Sequence, residues 1–188
     1  MSGSGAAASV AAPADVLAFW FEAGPKQWFT KSDVFDAEIR DRFLPTYEAA
    51  VAGRLASWEA TAEGALALVI VLDQFSRNMF RGSPRTYTAD PLARAVADRA
   101  IARGFDKQLG LPQRNFFYLP FMHSENLADQ QRCVELCRAA GSDETLKFAE
   151  LHADIIRRFG RFPHRNAILG RATTAEEQAF LDSGGFAG

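Results

Sequence analysis

Three short segments crowd ionisable and amide side chains more densely than helical seams and caps require. In the first, Leu72-Asp73-Gln74-Phe75-Ser76-Arg77-Asn78-Met79-Phe80-Arg81-Gly82, Asp73 and Arg77 stand one helical turn apart in the favourable acid-first order. Gln74 and Asn78 share the neighbouring stripe, and Arg81 extends the Asp73 stripe just past the helix end. One Asp, two Arg and two amides in this pattern suit an anionic or zwitterionic ligand. The same residues also suit a network that pins the following loop, because ion pairs on helices are usually ordinary.

The second segment is Tyr118-Leu119-Pro120-Phe121-Met122-His123-Ser124-Glu125-Asn126. A His beside a carboxylate can serve as an acid/base pair or as two metal ligands. Positions two apart on a helix diverge, however, so His123 and Glu125 converge only if the helix ends there. The competing reading makes His123 a satisfied, partly buried residue, with Glu125 or Asn126 capping the next helix. The third segment, from His152 to Arg171, holds five Arg and two His against one acid, Asp154, within twenty residues. His152 falls between apolar neighbours and reads as a core histidine. His164-Arg165-Asn166 differs, because Phe162-Pro163 forces extended chain there and a loop does not need such residues for packing. With Arg161 they form a candidate anion site.

Other chemistries leave no trace. The chain lacks G-x-S-x-G, H-E-x-x-H, a phosphate-cradling Gly-rich loop and a dinucleotide fingerprint. Its three His lack metal-ligand spacing. No cofactor and no metal are expected. Cys133 and Cys137, four apart, share a helix face but are poorly placed for a disulfide, and they read as small core residues of a reducing compartment. A formal net charge of −2 disfavours nucleic acid. The longest apolar run, residues 65–72, is far too short to span a bilayer. Residues 1–12, rich in Ala, Ser and Gly and without a basic residue, fit a flexible leader rather than a targeting peptide. A cytoplasmic protein is expected.

The elements that must position these groups are all helical. A length of 188 residues with 48% apolar content and 16 Phe is enough for one packed domain, taken as 13–188. Pro13 opens a first helix that Gly24-Pro25 ends, with Trp28-Phe29 in the loop beyond. Ser32 or Asp33 caps a second helix through Phe35, Ile39, Phe43 and Tyr47; Pro45 bends it and Gly53 stops it. A third runs from near Thr61 through Asn78 on a Leu68, Leu72, Phe75, Met79 seam. Asp90 is an N-cap before Pro91. Helices follow near Pro112–Ser124 and Asn126–Ala140. Ser142 caps another through Phe148, Leu151, Ile155 and Phe159, and Thr174-x-x-Glu177 is a capping box. About eight helices in antiparallel hairpins, with no strand pattern, make an all-α fold.

Three motifs in order resemble a bacterial family catalogued as domain of unknown function 924: Leu72 to Asn78, Tyr118 to Glu125, and Arg158-Phe159-Gly160-Arg161-Phe162-Pro163-His164-Arg165-Asn166. Phe19-Trp20-Phe21 and Trp28-Phe29 fit it as well. The resemblance spans about residues 14 to 186. It implies an all-helical, tetratricopeptide-like superhelix, and it brings no activity or catalytic residues.

Three functions compete. A helical binding module would take a small anionic ligand or acidic peptide on Arg77, Arg81, Arg161 and Arg165, with Gln74, Asn78 and Asn166 beside them. A small-molecule enzyme would use Asp73, His123, Glu125 and His164 as acid/base groups, with Arg77 and Arg165 as anion clamps. In the third, the clusters only tie loops to helices. The oligomeric state is not legible.

Overall fold

The computed structural model describes residues 9–186, and no strand occurs among them. The fold is all-α. Residues 1–8 of the expected leader lie outside the described residues. The rest of that leader is tied down: the Ala11 N–H donates to Thr46 Oγ1 at 2.9 Å and the Ala12 N–H to Asp15 Oδ2 at 3.2 Å. The chain clusters into two compact units. One holds the residues up to Arg81 together with Arg85–Leu109; the other holds Gly82–Pro84 and the residues from Gly110 onward.

In the first unit, α1 (Pro13–Ala23) begins with proline where a missing N–H costs no hydrogen bond, and it stops at Gly24, whose φ of 75° favours a residue without Cβ. A single turn, α2 (Pro25–Trp28), occupies part of the expected loop, and Trp28 Nε1 donates to the Trp20 carbonyl at 2.6 Å. Ser32 Oγ caps α3 (Asp33–Val51) by accepting from the Phe35 N–H. Phe35, Ile39, Phe43 and Tyr47 are all buried, as their spacing predicts. Phe19, Trp20, Phe35, Phe43 and Phe75 form one aromatic core, with centroid separations between 4.8 and 6.2 Å.

The expected regular helix from Thr61 to Asn78 is interrupted. After α4 (Ala62–Val69), residues Ile70–Phe75 widen into a π-helical stretch before the single turn α5 (Ser76–Met79). The seam survives the change: Leu68, Leu72, Phe75 and Met79 are all buried. Ala89, not Asp90, stands at the N-cap of α6 (Asp90–Ala102). Asp90 is the first helical residue and turns to Arg77 instead, because a buried guanidinium competes more strongly for its carboxylate than backbone amides do.

The second unit contains α7 (Leu111–Met122), α8 (Leu127–Ala140), α9 (Asp143–Phe159) and α10 (Ala175–Asp182). Adjacent members of α7, α8 and α9 pack on each other across short connectors, which makes them antiparallel neighbours. Asn126 Oδ1 caps α8 by accepting from the Ala128 and Asp129 N–H groups. Ser142 occupies the N-cap of α9, but its side chain makes no cap hydrogen bond. Of the expected Phe148–Leu151–Ile155–Phe159 line, only Ile155 is buried, and Phe159 is partly so. The buried face of α9 runs through Ala149, His152, Ala153, Ile155 and Ile156, while Phe148 and Leu151 stay 52% and 44% exposed. Ile155, Ile156 and Phe162 form a local core with Phe159, Phe180 and Phe186 against it.

Candidate functional site

The first polar segment belongs to the first unit, and its charges are matched there. Arg77 reaches back one turn to the Asp73 carbonyl at 2.7 Å and across to Asp90, with Nη1 to Oδ1 at 2.9 Å and Nη2 to Oδ2 at 3.1 Å. Burial alone would lower the Arg77 pKa, but Asp73 and Asp90 outweigh it and raise the value further. Gln74 Nε2 donates to Asp73 Oδ2 at 2.6 Å. Asn78 and Arg81 both close on Asp36: Nδ2 to Oδ1 at 2.7 Å and Nε to Oδ2 at 2.7 Å. Asp73, Asp36 and Asp90 are all buried, so these arginines sit in carboxylate clamps.

The second and third segments meet in the second unit. Glu125 accepts from Arg171 through both oxygens and from the Phe162 N–H at 2.8 Å. Arg165 Nη2 donates to the His123 carbonyl at 3.0 Å, and its guanidinium lies 4.5 Å from the centre of the Phe162 ring. Asn166 continues the chain of contacts, accepting from Arg171 Nε at 3.0 Å and donating to Glu177 Oε2 at 3.2 Å. Arg161 grips Glu177 with Nε and Nη2, at 2.6 and 2.8 Å.

Glu125, Arg171, Asn166, Glu177 and Arg161 thus form one continuous network. Burial raises the Glu125 pKa, but the Arg171 and Phe162 hydrogen bonds more than offset it, and its carboxyl lies below the usual range. The Arg161 hydrogen bond, against a smaller effect of burial, draws Glu177 down to about 2. Two of the histidines are packed rather than displayed. His152 Nδ1 lies 2.7 Å from the Phe148 carbonyl and its ring meets Phe162 and Phe186; His164 meets the same two rings.

Open space lies elsewhere in this unit. A shallow hollow of about 780 Å³ runs between α8 and α9, lined by Val134, Arg138, Glu150, Leu151 and Arg157 among others. A second, of about 400 Å³, lies against Leu151, Arg158, Phe159 and Phe180. Leu151, Asp154 and Arg157 line both hollows. The rim arginines are exposed: Arg138 pairs with Glu150, Arg157 with Asp154, and Arg158 with Glu176 while lying over the rings of Phe159 and Phe180.

Asp36, Asp90, Arg171 and Glu177 were not among the candidate site residues. Asp36 lies 45 residues from Arg81, and Arg171 lies 46 from Glu125, so no local spacing announces either pair. Glu177 did carry a signal, its capping box with Thr174, which is present. Among the hollow-lining residues, Leu151 is an apolar side chain left 44% exposed on α9.

Among the described residues no helix is long and apolar enough to cross a membrane, and no group of three or more His, Cys, Asp or Glu is placed to hold a metal ion. No curated protein matches the chain. A solved structure described as a protein of unknown function from Agrobacterium tumefaciens is 49% identical, with a TM-score of 0.88, over 91% of this chain and 97% of that one. Residues 16–185 match the model of a family described as a bacterial protein of unknown function, DUF924. With so much of the chain matched, the protein belongs to that family.

Proposed function

We propose that this protein is a helical binding module that takes an acidic, apolar-anchored peptide on the face formed by α8, α9 and α10. The observation that carries the proposal is the pair of hollows sharing Leu151, with Leu151, Phe159 and Phe180 as the apolar floor and Arg138, Arg157 and Arg158 at the rim. Exposed ion pairs contribute little, so a ligand carboxylate can replace Glu150, Asp154 or Glu176 as an arginine's partner at small cost. Antiparallel helix hairpins use such faces for peptides, and a tetratricopeptide-like arrangement suits this role.

The arginines singled out by sequence support the module differently. An anion arriving at Arg77, Arg81 or Arg161 would have to displace a carboxylate already buried against it. Their part is to hold the helices that carry the face. The acid/base alternative on Asp73, His123, Glu125 and His164 draws less support, because Glu125 is kept ionised with both oxygens occupied. A cytoplasmic location is part of the proposal, consistent with free thiols at Cys133 and Cys137.

The test is calorimetric titration of the full chain with a synthetic helical peptide bearing Leu and Glu at i, i+3 and i+4 spacing. Binding that weakens with salt and falls at least about tenfold in Leu151→Asp and in Arg157→Glu/Arg158→Glu supports the proposal. No heat, or heat indifferent to these substitutions, overturns it.

A further inference from the structure

Helix α9 displays an outward charge pattern whose pairings within the chain are exposed ones, Glu150 with Arg138, Asp154 with Arg157 and Arg158 with Glu176, and exposed pairs exchange partners at small cost. Asp143, Glu144, Lys147, Glu150, Leu151, Asp154, Arg157 and Arg158 are all exposed, whereas Ala149, His152, Ala153 and Ile156 are buried. The point between Glu150 and Leu151 is therefore at the middle of the outward face as well as near the middle of the helix. Asp143 and Arg158 lie equally far from that point on either side, and so do Lys147 and Asp154. Each pair is of opposite charge.

Acid near the start and base near the end of a helix is a general trend that favours the macrodipole, and it accounts for Asp143 and Arg158. Lys147 and Asp154 run against that trend. A base in the first half and an acid in the second gain nothing from the dipole, yet they too are placed symmetrically about the same point. A helix meeting a copy of itself head to tail brings together residues equidistant from its centre, which is the self-complementarity that a two-fold interface demands.

We propose that the partner seated on this face is a second copy of the chain, with the two α9 helices antiparallel about a two-fold axis beside Glu150 and Leu151. The proposal rests on reading the α8–α9–α10 face as a binding surface, and it names the occupant. Asp143 and Glu144 of one copy face Arg158 of the other, Lys147 faces Asp154, and the two Leu151 side chains lie side by side, shouldered by Phe148. The acidic, apolar-anchored segment that the face accepts is then the first half of α9 itself. Antiparallel packing also opposes the two helix dipoles favourably. A contact of one helix and its flanks is a small interface, so the association is reversible and depends on concentration.

Sedimentation velocity of the full chain over a range of concentrations tests this, with circular dichroism as the check on folding. The expected result is a monomer–dimer equilibrium, weakened by salt and abolished by Leu151→Asp. Lys147→Glu alone and Asp154→Lys alone should each weaken it about tenfold or more, and the double variant should recover most of the loss. A chain that stays monomeric throughout, or a dimer indifferent to all of these variants, overturns the pairing. If a monomeric chain still binds the acidic synthetic peptide, self-pairing fails and the binding-module reading stands. If the monomeric chain binds no peptide, both fall.

Discussion

The Arg171 guanidinium straddles the Glu125 carboxylate, Nη1 to Oε2 at 2.7 Å and Nη2 to Oε1 at 2.9 Å, across 46 residues of chain. The same guanidinium donates to the Phe162 carbonyl at 3.2 Å, while Glu125 accepts from the Phe162 N–H. Both polar groups of one peptide position are thus satisfied by one ion pair. This anchors the loop after α9 to the residues that follow α7.

Arg171→Ala should therefore lower the melting temperature by several degrees, because Glu125 is left half-buried and the Phe162 carbonyl loses a donor. Arg171→Lys should recover little, since a single ammonium cannot make the two parallel contacts. Thermal unfolding followed by circular dichroism reads both. A melting temperature unchanged in Arg171→Ala would mean that the clamp contributes nothing.

Glu177 ties acid stability to α10. Its folded pKa of about 2 lies below the ordinary value of 4.5, so its stabilisation is fully present above the ordinary value and is lost as pH falls toward about 2. Glu125, also lowered, acts in the same direction. Urea unfolding at several pH values across this window should show stability falling in the native chain and a shallower fall in Glu177→Gln. Equal slopes in the two proteins would contradict the assignment.

Asp90 and Asp73 share the charge of Arg77. Asp90→Asn leaves a largely buried guanidinium with half its compensation, and the expected cost is about 3 kcal/mol. Arg77→Met should cost at least as much, because it strands the buried Asp73 and Asp90 carboxylates together, and adding Asp90→Leu should recover part of that loss by removing one of them. Denaturant midpoints of the two single variants and the double variant decide the matter: a double variant as unstable as the sum of the two singles would show that the pair is not coupled.

Gly64 is required by close approach. A Cβ there would sit 2.1 Å from the Trp58 carbonyl oxygen, a contact no side chain can relieve because the atom belongs to the backbone. Gly64→Ala, ordinarily a gain in mid-helix, should instead destabilise by about 2 kcal/mol. An unchanged or raised melting temperature would sink this reading.

Much of the fold was legible because helix signals are local. Ser32, Thr61, Asn126 and Thr174 cap where capping residues should, and the Phe35–Tyr47 seam is buried as a four-residue spacing requires. The π-helical widening at Ile70–Phe75 carries no local mark, since the segment holds neither Pro nor Gly. Asp90 before Pro91 looked like a cap, and only the presence of Arg77 explains why it is not. The polar clusters are dense in the sequence, yet the partners Asp36 and Arg171 lie 45 and 46 residues from Arg81 and Glu125, so spacing does not assign them. Phe148 and Leu151 are apolar and regularly spaced, which reads as seam, but the buried face of α9 is turned one position on, through Ala149, His152, Ala153 and Ile156, with Ile155 alone shared between the two.

The most direct test of the binding face is a nitrogen-15 NMR map of the full chain titrated with the acidic helical peptide. Shifts should concentrate on α8, α9 and α10, with Leu151, Arg157 and Arg158 among the largest, and little change at Arg77, Arg81 and Arg161. Shifts centred on those clamped arginines, or none at all, would contradict it.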